Sequence, residues 1–275
     1  MPEPNSARHP AVSVIIPCFK QAQYLGEAVD SVVDQTFTDW EVVVVDDGSP
    51  DDTAQVAAKL IELHGERIRL LQQPNGGVAR ARNAGIAVAL GTYILPLDAD
   101  DRLHPEMLAE TVRLLDSDPG VGIAYTDYEL FGSNERSVRV PEFDFEGLCR
   151  GSHIVTTALF RREAWESAGG YNSNMVWGYE DWDFWISCAK RGYLPRRIPR
   201  SLFDYRARAG GRGAMSATQR RQMVEQIMQN HPELYTPLRR AGRLVTRAPR
   251  NLRRRIRRVA QRLSGGRLSH GPEPW

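Results

Sequence analysis

"WEVVVVDDGSPDDT", residues 40 to 53, runs an apolar strand into a turn of Asp, Gly, Ser and Pro and then into the start of a helix. A strand apolar on both faces needs cover on both sides, the condition of an interior strand in a parallel sheet. Asp51 or Asp52 stands where "AQVAAKLIEL" requires an N-cap. Working outward, "VSVIIPCF" (12 to 19) is a second β-branched strand, followed by "EAVDSVVDQ" (27 to 35) with Ala28, Val32 and Val33 at helical spacing. On the other side, "RIRLLQQ" (67 to 73) turns at "PNGG" into the helix "VARARNAGIAVAL" (78 to 90). "TYILPL" (92 to 97) is a fourth strand, and Pro105 marks the next helix start. Strands alternating with helices predict a mainly parallel sheet, in which ligands bind beyond the carboxyl ends of the strands. Those ends are polar here, in "PCFK", "DDGS", "QPNGG" and "DADD", so four loops are expected to line one crevice.

After about Pro119 the rhythm changes. "VGIAYTDYELFG" with "SVRVPEF" reads as a strand or hairpin, "HIVTTALF" (153 to 160) as a strand, and "REAWESAGG" as a short helix ended by glycine. "GYEDWDFWISCAKRG" (178 to 192) is helical in pattern, and "YLPRRI" returns as a strand. The expected organisation is a flexible N-terminus (1–10), one continuous domain (11–235) with a Rossmann-like α/β half (11–118) and a mixed half (119–235), and a basic tail (236–275).

The 275 residues, 41% hydrophobic and 25% charged, suit a soluble chain with a large core that needs no covalent staples. Cys18, Cys149 and Cys188 are widely spaced and form no zinc pattern, which fits a reducing, intracellular compartment. The longest apolar runs are too short to cross a bilayer. The net charge of +2 hides an asymmetry: residues 236 to 275 hold twelve arginines against Glu273, leaving the first 235 residues at about −9. Within the tail Leu252, Ile256, Val259 and Leu263 form one helical stripe ringed by arginines. Such a stripe suits an anionic membrane surface contacted through 250–263; a solvated tail fits the composition equally. No base-reading motif accompanies the charge, so no specific nucleic-acid partner is expected.

Four acidic or glycine-rich stretches carry chemistry. In "LDADD" (97 to 101), Asp98 and Asp100 fall on one side of an extended segment, two oxygen donors suited to Mg²⁺ or Mn²⁺, or else members of a capping turn; Asp101 is placed as the cap of the next helix. Asp46 and Asp47 end their strand where a nucleotide's sugar or base would lie, or they build an Asx-turn around Gly48. "PNGGVARARNAGI" brings Arg80 and Arg82 to a helix start that could favour a phosphate, with solvent-facing arginines as the alternative. "WGYEDWDFW" sets Glu180, Asp181 and Asp183 among aromatics, where a carboxylate can act as a base and Trp177, Tyr179 and Trp182 can stack on a sugar; the same acids can instead complement a helix dipole over a tryptophan core. Neither a P-loop nor a G-x-G-x-x-G fingerprint is present.

Taken in order, "VSVIIPCFKQAQYLGEAVDSVVDQTFTDWEVVVVDDGSPDDT", "NGGVARARNAGI", "LDADD" and "GYEDWDFW" resemble the family 2 glycosyltransferases, inverting nucleotide-sugar transferases of the GT-A fold. The likeness spans about residues 11 to 207. It implies that Pro17, Asp46 and Asp47 bind the donor, with the two acids at its base or ribose. Arg82 lies near the diphosphate, Asp98 near ribose and metal, and Asp100 is the direct metal ligand. The Glu180–Asp181 pair carries the catalytic base, assigned to Asp181. Tyr205 and Arg206 match a "YR" that in the family is often followed by a histidine, absent from "YRARAGGRGAMS". The Q-x-x-R-W motif of processive synthases is also absent, which implies transfer of a single sugar.

The resemblance thus implies an inverting, metal-dependent transfer from a nucleotide-diphosphate sugar, a UDP-sugar first, to a carbohydrate or lipid-linked acceptor in cell-surface polysaccharide, glycolipid or glycan synthesis. The expected place is the cytoplasm, at the inner face of the plasma membrane. An inactive sugar-binding module on the same fold and a membrane-surface scaffold acting through the tail are the alternatives.

Overall fold

The computed structural model describes residues 9–208 and 216–235. β1 (Val12–Cys18), α1 (Ala22–Val33), β2 (Trp40–Asp46), α2 (Thr53–His64), β3 (Ile68–Gln72), α3 (Val78–Val88) and β4 (Tyr93–Pro96) alternate as the apolar pattern predicts. The four strands lie in the order β3-β2-β1-β4, all parallel, with Val14 paired to Val42 on one side and Leu95 on the other. The order turns back at β1, so the loops leaving β1, β2 and β4 open onto one crevice.

Both faces of this sheet are covered. Val12, Val14 and Ile16 are buried with Leu25, Ala28, Val29 and Val32 of α1. On the opposite face α3 approaches so closely at Gly85 that an added Cβ would stand 2.6 Å from Ile15 Cγ2 and 2.8 Å from Val45 Cγ2. β2 is not wholly apolar as its sequence reads. Glu41 is buried in it, accepting from Ser13 Oγ (2.6 Å), Arg69 Nη2 (2.7 Å) and the Leu90 N–H (2.6 Å), which ties three strands and the end of α3 together at the edge remote from the crevice.

The second half adds β5 (Arg102–Leu103), α4 (Met107–Ser117), β6 (Val121–Gly132), β7 (Arg136–Val138), α5 (Phe145–Leu148), β8 (Leu159–Arg161), α6 (Arg162–Ala168), α7 (Glu180–Lys190) and β9 (Leu194–Ala207). Among the described residues the sheet runs β3-β2-β1-β4-β8-β6-β9-β5, with β7 paired to β6. β8 is antiparallel to both β4 and β6, so the second half is mixed. A further helix, α8 (Ala217–Asn230), leads to a 3-10 turn at Pro232–Leu234, and the boundary between two compact units falls after Met223.

Three expectations need correction, and one open alternative is decided. α1 begins at Ala22, well before the apolar spacing at Ala28 reveals it, because Asp51 Oδ2 accepts the Ala22 N–H at 3.0 Å. The same Asp51 accepts from Thr53 at the start of α2, whereas Asp52, at the N-cap position, makes no side-chain cap bond. Of the expected strand 153–160 only Leu159 and Phe160 lie in the sheet, as part of β8, and the preceding residues form a loop. The returning strand runs fourteen residues, far beyond "YLPRRI". Residues 1–8 and 236–275, with the stripe at 250–263, lie outside the described residues. Among the described residues no helix is long and apolar enough to cross a membrane.

The α3 contact makes a direct prediction. Gly85→Ala should cost about 1–3 kcal/mol through overpacking, read as a lower urea midpoint, and an unchanged midpoint would show that α3 can lift off the sheet.

Candidate active site

The crevice at the strand ends is a groove of about 700 Å³. The end of β1 and the loop after it supply Pro17 to Gln21, the loop after β2 Asp47, the turn before α3 Asn75 and Gly77 with Val78 at the helix start, and the loop after β4 Asp98 and Asp100. Residues 176–178 and the end of β9, Tyr205 to Arg208, complete it. A second cavity of about 590 Å³ holds Thr156, Tyr179, Glu180 and Asp181 against residues of the β6–β7 hairpin. Asp98, Trp177, Gly178 and Tyr205 line both, so the two spaces meet at these four residues.

The floor of the groove is set by Asp47. Its carboxylate accepts from Gln73 Nε2 (2.6 Å), Asn75 Nδ2 (3.2 Å) and the N–H groups of Gly76 (2.8 Å) and Gly77 (2.9 Å), clamping the loop after β2 to the start of α3. Gly48 takes a left-handed φ of 67° directly beneath Asn75, where a Cβ would lie 2.7 Å from the Asn75 nitrogen. Asp46 is buried, accepts from the Ser49 N–H (2.8 Å) and Gln72 Nε2 (3.2 Å), and does not line the groove. Asp46 thus holds the turn around Gly48 through the Ser49 N–H, whereas Asp47 binds no residue of that turn, reaches across to residues 73 to 77 and keeps a face on the groove.

Arg82 is neither solvent-facing nor in the groove wall. It is completely buried, with Nη1 donating to Glu180 Oε1 at 2.6 Å and Nη2 to Asp98 Oδ1 at 2.7 Å. Burial works against its charge, but Asp98 and then Glu180 more than compensate, and its pKa is raised. Its Nε makes no hydrogen bond, and its guanidinium lies 5.5 Å from the Tyr171 ring centre. Arg80, on the same helix, is exposed.

The acidic run is a turn and not an extended segment. β4 ends at Pro96, and the Asp101 N–H donates to the Asp98 carbonyl at 3.0 Å. Asp98 and Asp100 nevertheless face the same groove. Asp101 caps no helix: it is buried, followed by β5, and accepts the Arg206 N–H at 2.8 Å. Burial, then the charge of Asp98, pushes the pKa of Asp101 well up and that of Asp100 up. Asp100 Oδ2 lies 2.7 Å from Arg208 Nη2, and its carbonyl accepts from Arg206 Nε at 2.8 Å.

At the start of α7, Asp181 faces the second cavity. Burial, then the neighbouring charge of Glu180, pushes its carboxyl up to about 6, against the opposing pull of Arg82. Its Oδ2 accepts from Thr156 Oγ1 at 3.2 Å. Tyr179, just before it, holds a left-handed φ of 63°, unusual for a residue with a bulky side chain. Trp182 is buried, donates its indole N–H to the Leu148 carbonyl (2.6 Å) and lines neither space, whereas Trp177 is 57% exposed at the junction. Asp183 and Trp185 are buried, Trp185 edge-on to Phe160.

Thr156 and Arg208 escaped the sequence reading. Thr156 lies in the loop before β8, within a β-branched stretch that reads as strand. Arg208 has a signal in the chain, since it stands two residues beyond Arg206 along an extended segment.

The family model described as Glycosyl transferase family 2 matches residues 13–176, and the chain belongs to that family. It is 32% identical over 189 residues to a chondroitin synthase of Pasteurella multocida, covering 67% of this chain and 19% of that one. It is 34% identical over 190 residues to a PGL/p-HBAD biosynthesis glycosyltransferase of Mycobacterium bovis, covering 68% and 73%. The chain thus spans only about a fifth of the length of the chondroitin synthase it matches. Among solved structures, the mannosyltransferase PcManGT of Pyrobaculum calidifontis in complex with GDP-Man and Mn²⁺ superposes with a TM-score of 0.63 at 24% identity, covering 82% of this chain and 65% of that one. TarS 1–349 of S. aureus in complex with UDP gives 0.62 at 17%, covering 87% and 76%. The fold is GT-A, and the chain is a glycosyltransferase by family.

Removing a buried cation from between two carboxylates leaves both uncompensated. Arg82→Met should destabilise the chain by about 3–5 kcal/mol. Arg82→Lys should also lower the thermal midpoint, since one ammonium cannot reproduce a fork reaching two partners. A lysine variant that melts like the parent would show that the two-pronged contact is dispensable.

Proposed function

We propose that this chain transfers a single sugar from a nucleotide-diphosphate donor, a UDP-sugar first, to an acceptor hydroxyl with inversion at the anomeric carbon. One observation carries the reading: the cavity that holds Asp181 and the groove that holds Asp98 and Asp100 share a wall made of Asp98, Trp177, Gly178 and Tyr205. A donor in the groove and an acceptor in the cavity would meet where that wall lies.

Asp181 takes the proton of the acceptor hydroxyl as its oxygen bonds to the anomeric carbon and the bond to the diphosphate breaks, the electron pair leaving with the diphosphate. Partial burial suits a carboxylate to this task, because a base with a pKa close to the working pH holds the proton better than an ordinary aspartate. Thr156 orients the carboxylate by its hydrogen bond. Glu180, held by Arg82, keeps a negative charge beside Asp181 and supports its raised pKa. Arg82 has no surface in the groove and is assigned to positioning Asp98 and Glu180. Pro17 and Asp47 border the donor, while Trp177 and Tyr179 flank the acceptor.

Asp98 and Asp100 fit a hard divalent cation by chemistry: both are oxygen donors facing one space, and burial makes the charge of Asp100 costly unless a cation offsets it. Among the described residues no three His, Cys, Asp or Glu side chains form a ready shell, so the remaining positions would fall to water and the donor. Mn²⁺ or Mg²⁺ held there would supply positive charge opposite the departing diphosphate. The stripe at 250–263 supports a peripheral seat at an anionic membrane on the cytoplasmic side, within reach of a lipid-linked acceptor.

Two measurements follow. Asp181→Asn should still bind UDP or GDP in a thermal-shift assay yet lose about 10²–10⁴-fold in kcat/KM; unchanged turnover would remove Asp181 from the base role and favour a binding module only if the parent is also inactive. For the parent enzyme, kcat/KM should climb with pH below about 6 and level off above it, since the base works deprotonated. The folded chain holds this proton more tightly than the unfolded one. The contribution of Asp181 to stability is therefore full below the usual aspartate pKa of about 4 and is lost as pH rises through about 6.

A further inference from the structure

The run Asp98, Asp100, Asp101 gathers three carboxylates in four residues, and each meets an arginine by a different route. Asp98 is bound by the Arg82 guanidinium (2.7 Å), Asp101 by the main-chain N–H of Arg206 (2.8 Å), and Asp100 by the Arg208 guanidinium (2.7 Å). The three arginines are not equally held. Arg82 is fully buried and grips Glu180 as well. Arg206 also donates to the Asp100 carbonyl and to Glu27, and its guanidinium lies 4.6 Å from the Tyr24 ring centre and 4.2 Å from that of Phe131. Arg208 has an ion pair to Asp100 and a more distant approach to the Tyr24 ring, 5.7 Å, and its side chain is 38% exposed.

The geometry points to Arg208 as an internal counter-cation that a divalent metal must displace from Asp100, so that this arginine sets the affinity of the site for metal. The inference rests on the reading of Asp98 and Asp100 as a cation site. Two positive groups cannot share the exposed oxygens of one carboxylate without repulsion, and Arg208 is the guanidinium that can leave, since Arg82 and Arg206 are fixed by several partners each. Without metal, Arg208 relieves the mutual repulsion of Asp98 and Asp100. With metal bound, its charge is released at the mouth of the groove. Arg208 is thus a positioning residue acting through Asp100, and its removal should strengthen metal binding instead of weakening it.

The test uses the full chain and Mn²⁺ alone, with free Mn²⁺ measured by electron paramagnetic resonance, in the parent, Arg208→Gln, Arg208→Lys and Asp100→Asn. Arg208→Gln should bind Mn²⁺ about fivefold more tightly than the parent, the scale of one partly exposed ion pair. Arg208→Lys, which keeps the charge, should stay closer to the parent, and Asp100→Asn should lose the binding. Equal or weaker binding in Arg208→Gln, no Mn²⁺ binding in any variant, or parent-like binding in Asp100→Asn would each overturn the proposal. Circular dichroism and thermal melting of each variant separate loss of fold from loss of competition. UDP and GDP thermal shifts on the same proteins test the donor reading separately: tighter Mn²⁺ in Arg208→Gln with no nucleotide shift would uphold the exchange and sink the donor assignment.

Discussion

A guanidinium with no exposed surface holds the site together. Arg82 on α3 reaches Asp98 after β4 with one nitrogen and Glu180 at the start of α7 with another. Those partners come from the parallel half and the mixed half, so a single side chain links a wall residue of the groove to one of the second cavity. A buried ion of this kind is stable only when its partners are exact in number and geometry. The helix that carries Arg82 packs closely onto β1 and β2 at Gly85, and beside Glu180 the burial of Asp181 disfavours its charge even against the pull of Arg82.

The parallel half was legible because its strands are buried on both faces and each ends in a polar turn, a pattern that survives whatever packs outside. β1 to β4 appear where the apolar runs place them. The mixed half was legible only in part. "HIVTTALF" is apolar and β-branched, but most of it forms the loop that brings Thr156 to Asp181, and long-range contacts decide that outcome, not local propensity. The start of α1 was hidden for a related reason, since its cap, Asp51, lies about thirty residues away.

The site shows the same division. The residue types in "LDADD" and "GYEDW" indicated carboxylates in a groove, and the structure brings Asp98, Asp100, Glu180 and Asp181 to two adjoining spaces. What sequence could not give is the pairing. The sequence singles out Arg82 over Arg80, which is exposed two residues earlier, but not the partner that encloses it, because Glu180 arrives from 98 residues away. Asp101 likewise reads as a cap by position and is instead the acceptor for a main-chain N–H of β9.

The clamp made by Asp47 has a consequence for how any ligand would be recognised. With its carboxylate engaged by Gln73, Asn75 and two glycine amides, the loop after β2 and the entrance to α3 are ordered before anything enters the groove. Binding there loses little conformational entropy on the protein side, so the favourable contacts a ligand makes with this floor are kept as affinity. Discrimination between ligands at the floor must then come from fit to a rigid shape, and adjustment on binding falls to exposed residues of the same groove such as Trp177 and Tyr205.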